Sequence, residues 1–293
     1  MLENIQHNLD ILFQEQNNRP NEDFEGLSAS QMHNLLFYPL EDGSIVKINK
    51  LSDPDYTIFP FFNQTKYLLD YFAKNGEVKL TAKGFLPIKV VKDVYNQGFI
   101  KNDYFESGFM KLNREYDSVP ISLSRTILDI AHLTKKRNNK VSITKSGEKA
   151  LKDNAVLFQI IFETFVLKFN WASFDGYGDN DIGQIGFGFS VFILGKYGNE
   201  KQLDSFYANK YFTALPVLKG TMVNSMYCTL EEYISRCYSF RTFEQFMCFF
   251  GLITIESEKA WGSDKYILKT EAFDRLFTIV SEKAFKLDGI SLN

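Results

Sequence analysis

Apolar residues recur along this chain at helical spacing for long stretches and give way only briefly to strict alternation. Residues 1–20 carry Leu2, Ile5, Leu9, Leu12 and Phe13 near a period of 3.6, predicting a polar amphipathic helix that Pro20 ends. A second helix opens at Ser28, where Gln31 completes a capping box, with Met32, Leu35 and Leu36 as its apolar stripe. Ser44 to Asn49 alternates weakly as an edge strand would. Phe62, Tyr67, Leu68, Tyr71 and Phe72 form the next helical stripe, which Asn75-Gly76 closes. Val78-Lys-Leu80-Thr alternates as a short strand. Pro87 starts another helix, with Ile88, Val91, Val94 and Tyr95 on one face. Beyond a variable stretch, Pro120 introduces a helix over Ser122–Leu133, followed by a strand, a polar turn and the strand around Val141-Ser-Ile143.

This last string recurs. Ile127-Leu-Asp-Ile130-Ala-His-Leu133 and Val141-Ser-Ile143-Thr144 find their counterparts in Phe246-Met-Cys-Phe249-Phe-Gly-Leu252 and Tyr266-Ile-Leu268-Lys-Thr270. Each copy reads as a helix end, a strand, a solvated loop, a second strand and a helix opening at Thr. That order closes a winged helix-turn-helix, and its repetition predicts an internal duplication. The expected fold is α+β and predominantly helical, with tandem winged-helix units. The boundaries predicted are an N-terminal arm over 1–60, a first winged unit over 61–153, a helical connector over 154–215 and a second winged unit over 216–293. Within the connector, Lys201 to Leu215 reads as one helix. In the second unit Leu230–Cys237 and Thr242–Phe250 read as the paired helices.

The connector has its own character. Phe169 to Ser190 is rich in glycine and aromatic residues, which predicts tight turns packed under rings, with Phe169, Trp171, Phe174, Phe187 and Phe189 in the core. Three strings in this region, Phe169-Asn-Trp171-Ala-Ser-Phe174-Asp175-Gly176-Tyr177, Gly186-Phe-Gly-Phe-Ser190 and Lys196-Tyr-Gly198, resemble an uncharacterised bacterial family that carries winged-helix regions and includes plasmid open reading frames. Leu80-Thr-Ala-Lys-Gly84-Phe-Leu-Pro87 and Gly26 to Leu36 fit the same resemblance. It implies the fold and brings no activity, cofactor or site residue with it.

Composition then bounds the chemistry. The chain has 293 residues, a net charge of −3 and a pI near 5.8, so no global positive field draws it to polyanions. Charge is local instead. From Thr134 to Lys152 seven cations (Lys135, Lys136, Arg137, Lys140, Lys145, Lys149, Lys152) stand against Glu148 alone. In a winged helix the wing lies along a phosphate backbone, so Lys135, Lys136, Arg137, Lys140 and Lys145 are expected to neutralise phosphates, and Asn138 and Asn139 at the tip to hydrogen-bond to them. The preceding helix would be the reading helix, with Ser124, Arg125 and Asp129 at exposed positions. The second wing is acidic by comparison: Lys259, Lys265, Lys269 and Arg275 face Glu256, Glu258, Asp264, Glu271 and Asp274. Its Trp261 suits packing against protein, either within the chain or on another subunit.

Two partner classes follow: duplex DNA at the first wing, or a protein partner or second copy of the chain, with no membrane involved. Cys228, Cys237 and Cys248 have neither disulfide nor zinc spacing, which fits a cytoplasmic protein. His7, His33 and His132 lack the neighbours of a catalytic triad. Asp175-Gly-Tyr-Gly-Asp179-Asn-Asp181 lacks the bidentate acid of a calcium loop, Gly186 standing at its twelfth position. The expectation is therefore no metal, no cofactor and no enzymatic activity. The rival for catalysis is a pocket around Trp171, Asp175 and Tyr177.

Overall fold

Helices form where the apolar stripes demand them, and short strands fill the gaps. A computed structural model describes residues 11–221, 228–257 and 264–280. The protein is mixed helix and sheet, 57% helical. A helical segment at 11–17 precedes α1 (Ala29–Phe37) and β1 (Val46–Ile48). Next come α2 (Pro60–Asn75), β2 (Val78–Lys79), α3 (Ile88–Asn96), the single turn α4 (Asp103–Glu106) and α5 (Val119–Ile130). The hairpin β3 (Thr134–Arg137) and β4 (Lys140–Ile143) leads to α6 (Lys145–Ala150) and α7 (Asn154–Glu163). The remaining elements are α8 (Phe187–Tyr197), β5 (Gln202–Leu203), α9 (Asp204–Ala214), α10 (Leu230–Ser239), β6 (Ile253–Ser257), β7 (Lys265–Lys269), α11 (Glu271–Leu276) and β8 (Phe277–Ile279).

The termini of these helices follow local chemistry. At α1 the Ser28 hydroxyl accepts from the Gln31 N–H while the Gln31 side chain accepts from the Ser28 N–H, completing the capping box. Thr144 caps α6 by accepting from the Gly147 N–H. Asp153 caps α7 in the same way, through the Val156 N–H.

Contacts group the chain into two compact units. The medial unit comprises Leu51–Phe174 and Phe246–Leu252; the terminal unit comprises Met1–Lys50, Asp175–Gln245 and Ile253–Asn293. In the medial unit β2, β4 and β3 form an antiparallel sheet in that order. Its core is aromatic. Phe61, Phe162, Phe165, Trp171, Phe246 and Phe250 are all buried, with the Phe165 and Phe250 rings edge to face at 5.3 Å and Trp171 against Phe246 at 5.1 Å. Such pairs contribute roughly 0.5–1.5 kcal/mol each beyond the area they bury. After α7 the backbone widens into a π-helical turn at Thr164–Lys168, and the Trp171 indole donates to the Phe165 carbonyl at 2.9 Å. Phe169 is buried as expected, while Phe174 is only half-buried.

In the terminal unit β5, β7 and β6 form a second antiparallel sheet, and β1 pairs with β8. Helix α8 is its centre, buried without a break from Phe187 to Leu194. Gly188 allows this, because a Cβ there would lie 2.8 Å from the Leu35 carbonyl oxygen of α1.

Two expectations need correction. Lys201–Leu215 is not one helix, since Gln202–Leu203 are drawn into the β7 ladder. Nor are Leu230–Cys237 and Thr242–Phe250 separate helices. Helix α10 runs directly into a π-helical stretch, Phe240–Met247, in which Phe243, Phe246 and Met247 are each buried. The order helix, strand, helix, helix, strand, strand is nevertheless present in both units, and the sheet orders β2-β4-β3 and β5-β7-β6 are the same permutation.

Candidate nucleic-acid interface

The β3–β4 hairpin is closed by two residues. Asn138 and Asn139 have φ of 50° and 55°, the left-handed pair of a type I′ turn, which asparagine tolerates better than other side-chain-bearing residues. Asn139 is held by β2: its side-chain amide donates to the Leu80 and Thr81 carbonyls at 3.2 and 3.1 Å, and its own carbonyl accepts from the Leu80 N–H. It therefore braces the sheet, and Asn138 alone stands clear at the tip. This corrects the expectation that both asparagines face a phosphate.

Register then concentrates charge. Lys79 pairs with Lys140, and Lys140 with Arg137, so three cations lie side by side across three strands. Direct cross-strand partners project to one face, and Lys135 shares that face by alternation. All four are exposed, while Val141 on the opposite face is buried in the core. Like charges directly opposite destabilise a sheet. The carboxylate set against them is Glu77, 2.6 Å from the Lys140 ammonium. A hydrogen bond from Lys140, then the charges of Lys140, Lys135 and Arg137, hold the Glu77 carboxyl below the usual carboxylate range. Among the described residues, Lys79, Lys135, Lys136 and Arg137 have no ion-pair partner. Lys136 turns to the sheet edge, where its ammonium lies beside Gly84. Lys145, Lys149 and Lys152 are exposed along and just after α6.

The expected reading helix is closed. Every residue of α5 is buried or half-buried. Ser124 is fully buried and accepts hydrogen bonds from Gln64 and Thr65, both at 3.0 Å. Asp129 accepts from the Thr134 hydroxyl. Arg125, expected at the surface, is 12% exposed and pairs at 2.8 Å with the buried Glu115, which also accepts from the Leu86 N–H. The guanidinium was legible as a cation; its partner, ten residues upstream on another turn, was not.

Lys79 was missed by sequence reasoning. The signal was available: the expected winged-helix order pairs its first strand with its last, and the alternation of Val78-Lys79-Leu80 turns Lys79 to the face opposite its apolar neighbours.

The equivalent row in the terminal unit has different chemistry. Leu203 pairs with Tyr266, and Tyr266 with Glu256, so an aliphatic, an aromatic and an acidic residue occupy the places of Lys79, Lys140 and Arg137. The cations nearby are neutralised: Lys201 by Glu256, Lys265 by Glu244 and Lys269 by Asp274, all within 2.6 Å. Trp261 lies outside the described residues.

The Asp175–Asp181 loop is organised by a side chain that composition gave no reason to expect. Arg241 is completely buried and bonded through Nε to Asp175. Its remaining N–H groups reach the carbonyls of Asn180, Gly178 and Ile182 and the Asn180 side chain. Asp175 is thus committed to an internal fork rather than to a pocket. Tyr177 is pushed up to about 12, chiefly by burial. Among the described residues no group of three or more His, Cys, Asp or Glu is placed to hold a metal ion, and no helix is long and apolar enough to cross a membrane.

Residues 58–156 match a family model described as the Y4jL N-terminal domain. That span includes Leu80–Pro87, part of the resemblance noted above, and all of the cation row. No curated protein and no solved structure matches the chain.

Proposed function

We propose that both units are winged-helix modules and that the medial one binds nucleic acid by its phosphate backbone. The contact is the solvent face of β2-β4-β3, extended by the lysines of α6. The observation that carries this reading is the register row Lys79–Lys140–Arg137 with Lys135 beside it, a like-charge cluster that an external polyanion would relieve. Occlusion of α5 removes the usual route to base edges in the major groove. The binding is therefore insensitive to duplex sequence and sensitive to salt.

The test is a charge reversal, Lys135→Glu with Arg137→Glu, in a binding assay with labelled duplex DNA at low and moderate salt. Loss of binding without loss of fold supports the reading. Unchanged binding ends it.

The Leu203–Tyr266–Glu256 row favours a different role for the terminal module, contact with protein. Tyr266 is 44% exposed at its centre, and its neighbouring cations are already paired. If the chain forms a defined oligomer through this face, Tyr266→Glu shifts its mass by light scattering. An unaltered mass removes this second role.

A further inference from the structure

We propose that the medial unit also engages unpaired bases, through an aromatic loop at the edge of the cationic sheet, so that its preferred ligand is nucleic acid carrying a single-stranded segment. The inference rests on the phosphate-binding reading above and names the ligand class for it. Between α3 and α5 the chain exposes Phe109 at 80%, Tyr104 at 58%, Tyr116 at 48% and Met110 at 47%. Scattered exposed apolar residues are ordinary; four within one loop are not.

The loop is held in shape, so the exposure is built in. Asn102 caps α4 through the Tyr104 N–H at 2.9 Å, and the Met110 N–H donates to the Tyr104 carbonyl at 2.8 Å. The Tyr95 hydroxyl accepts from the Asn102 N–H and meets Glu106 at 3.0 Å. The Tyr104 and Phe109 rings stand 5.9 Å apart.

The C-terminal end of this loop, at Tyr116, adjoins the sheet edge. Lys136 of β3 lies beside Gly84, the adjacent Phe85 ring is 5.7 Å from Tyr116, and the Arg114 guanidinium stacks over Tyr116 at 4.1 Å. Three of the loop's four acids, Glu106, Asp117 and Glu115, are paired with Lys101, Arg114 and Arg125, which leaves Asp103 as the exposed carboxylate without an ion-pair partner among the described residues. Lys111 within the loop, and Lys83 and Lys89 at and after the Gly84 turn, are exposed and have no ion-pair partner among the described residues. Cations that neutralise phosphates beside rings that accept a base face are the two components of single-strand binding. A closed α5 cannot read paired bases, whereas a stacking ring needs only an unstacked one.

The experiment compares three labelled probes, a short blunt duplex, the same duplex with an oligo-thymidine tail, and oligo-thymidine alone, against the full chain and its Tyr104→Ala/Phe109→Ala variant. The tailed duplex is expected to bind tighter than the blunt one, and the variant to lose about fivefold or more on tailed and single-stranded probes while keeping its blunt-duplex affinity. Equal affinity for blunt and tailed duplex, or a variant that loses nothing on the tail, overturns the inference and leaves the phosphate-binding reading standing. Binding to none of the probes overturns both. A variant that changes the oligomeric state by light scattering with no selective loss on tailed probes reassigns the loop to contact between copies of the chain and likewise overturns it. Tyr104→Phe/Phe109→Tyr, which retains both rings, guards against misfolding and is expected to bind as the wild type does.

Discussion

Lys79→Gln is the sharpest test of the cation row, because Lys79 lies far outside the basic run of residues 134–152. Its place there comes only from the pairing of β2 with β4, which sets it beside Lys140 and one strand from Arg137. If Lys79, Lys135, Arg137 and Lys140 each neutralise one phosphate of a duplex, log K falls against log salt with a slope of about −3.6, at roughly 0.9 per phosphate. Raising salt from about 50 to about 200 mM then weakens binding about 150-fold. Removing Lys79 makes the slope shallower by about 0.9, so the same salt step weakens binding only about 40-fold. The assay is fluorescence anisotropy of a labelled duplex across a salt series, with Lys219→Gln as a control in the terminal unit. Glu77→Gln gives the opposite sign: it frees Lys140 from its carboxylate, and binding tightens at every salt concentration. A Lys79→Gln slope equal to that of the wild type, or the same change in Lys219→Gln, refutes the row as a phosphate contact.

Three further predictions concern buried or paired groups away from the cation row. Asp175→Asn strands the Arg241 charge, which is fully buried, and is expected to cost about 3–5 kcal/mol in denaturant unfolding, whereas a surface pair would cost about 1 kcal/mol or less; a loss below about 1 kcal/mol means the pair is hydrated in solution. For Glu25, burial raises the carboxyl pKa, but hydrogen bonds from Lys210, Tyr197 and Lys196 outweigh it and hold it below the usual carboxylate range. A depressed carboxyl stabilises the fold above its unfolded pKa and loses that stabilisation as pH falls through the folded value, so Glu25→Gln should flatten the acid side of the stability profile; an unchanged profile would falsify this assignment. Cys237 is buried, which pushes its thiol up to about 12, while Cys248 is exposed. A thiol reagent should therefore modify Cys248 in the native protein and reach Cys237 only on unfolding, as read by peptide mass after alkylation; rapid native modification of Cys237 contradicts the packing around it.

What was legible in the sequence was local or periodic. The capping box at Ser28, the Thr144 cap, the stop at Gly76 and the Asn138-Asn139 turn follow from side-chain chemistry acting over a few residues. The repeated string ending at Leu133 and Leu252 marked both β-hairpins because hairpin pairing is itself short-range. The excess of cations between Thr134 and Lys152 needed only counting. Register, burial and partnership across distance came from tertiary structure alone. Lys79 joined the cation row through a strand pair spanning some sixty residues, and Arg125 left the candidate surface because the chain folds Glu115 against it. Arg241 found its carboxylate far upstream, where a glycine-rich loop could bring its carbonyls close around a guanidinium. The string Phe246–Leu252, read simply as a helix end, supplies rings to the medial core. Residue types set which contacts are favourable at each position; only closure of the chain, through the entropy and geometry of non-local pairing, decides which of them form.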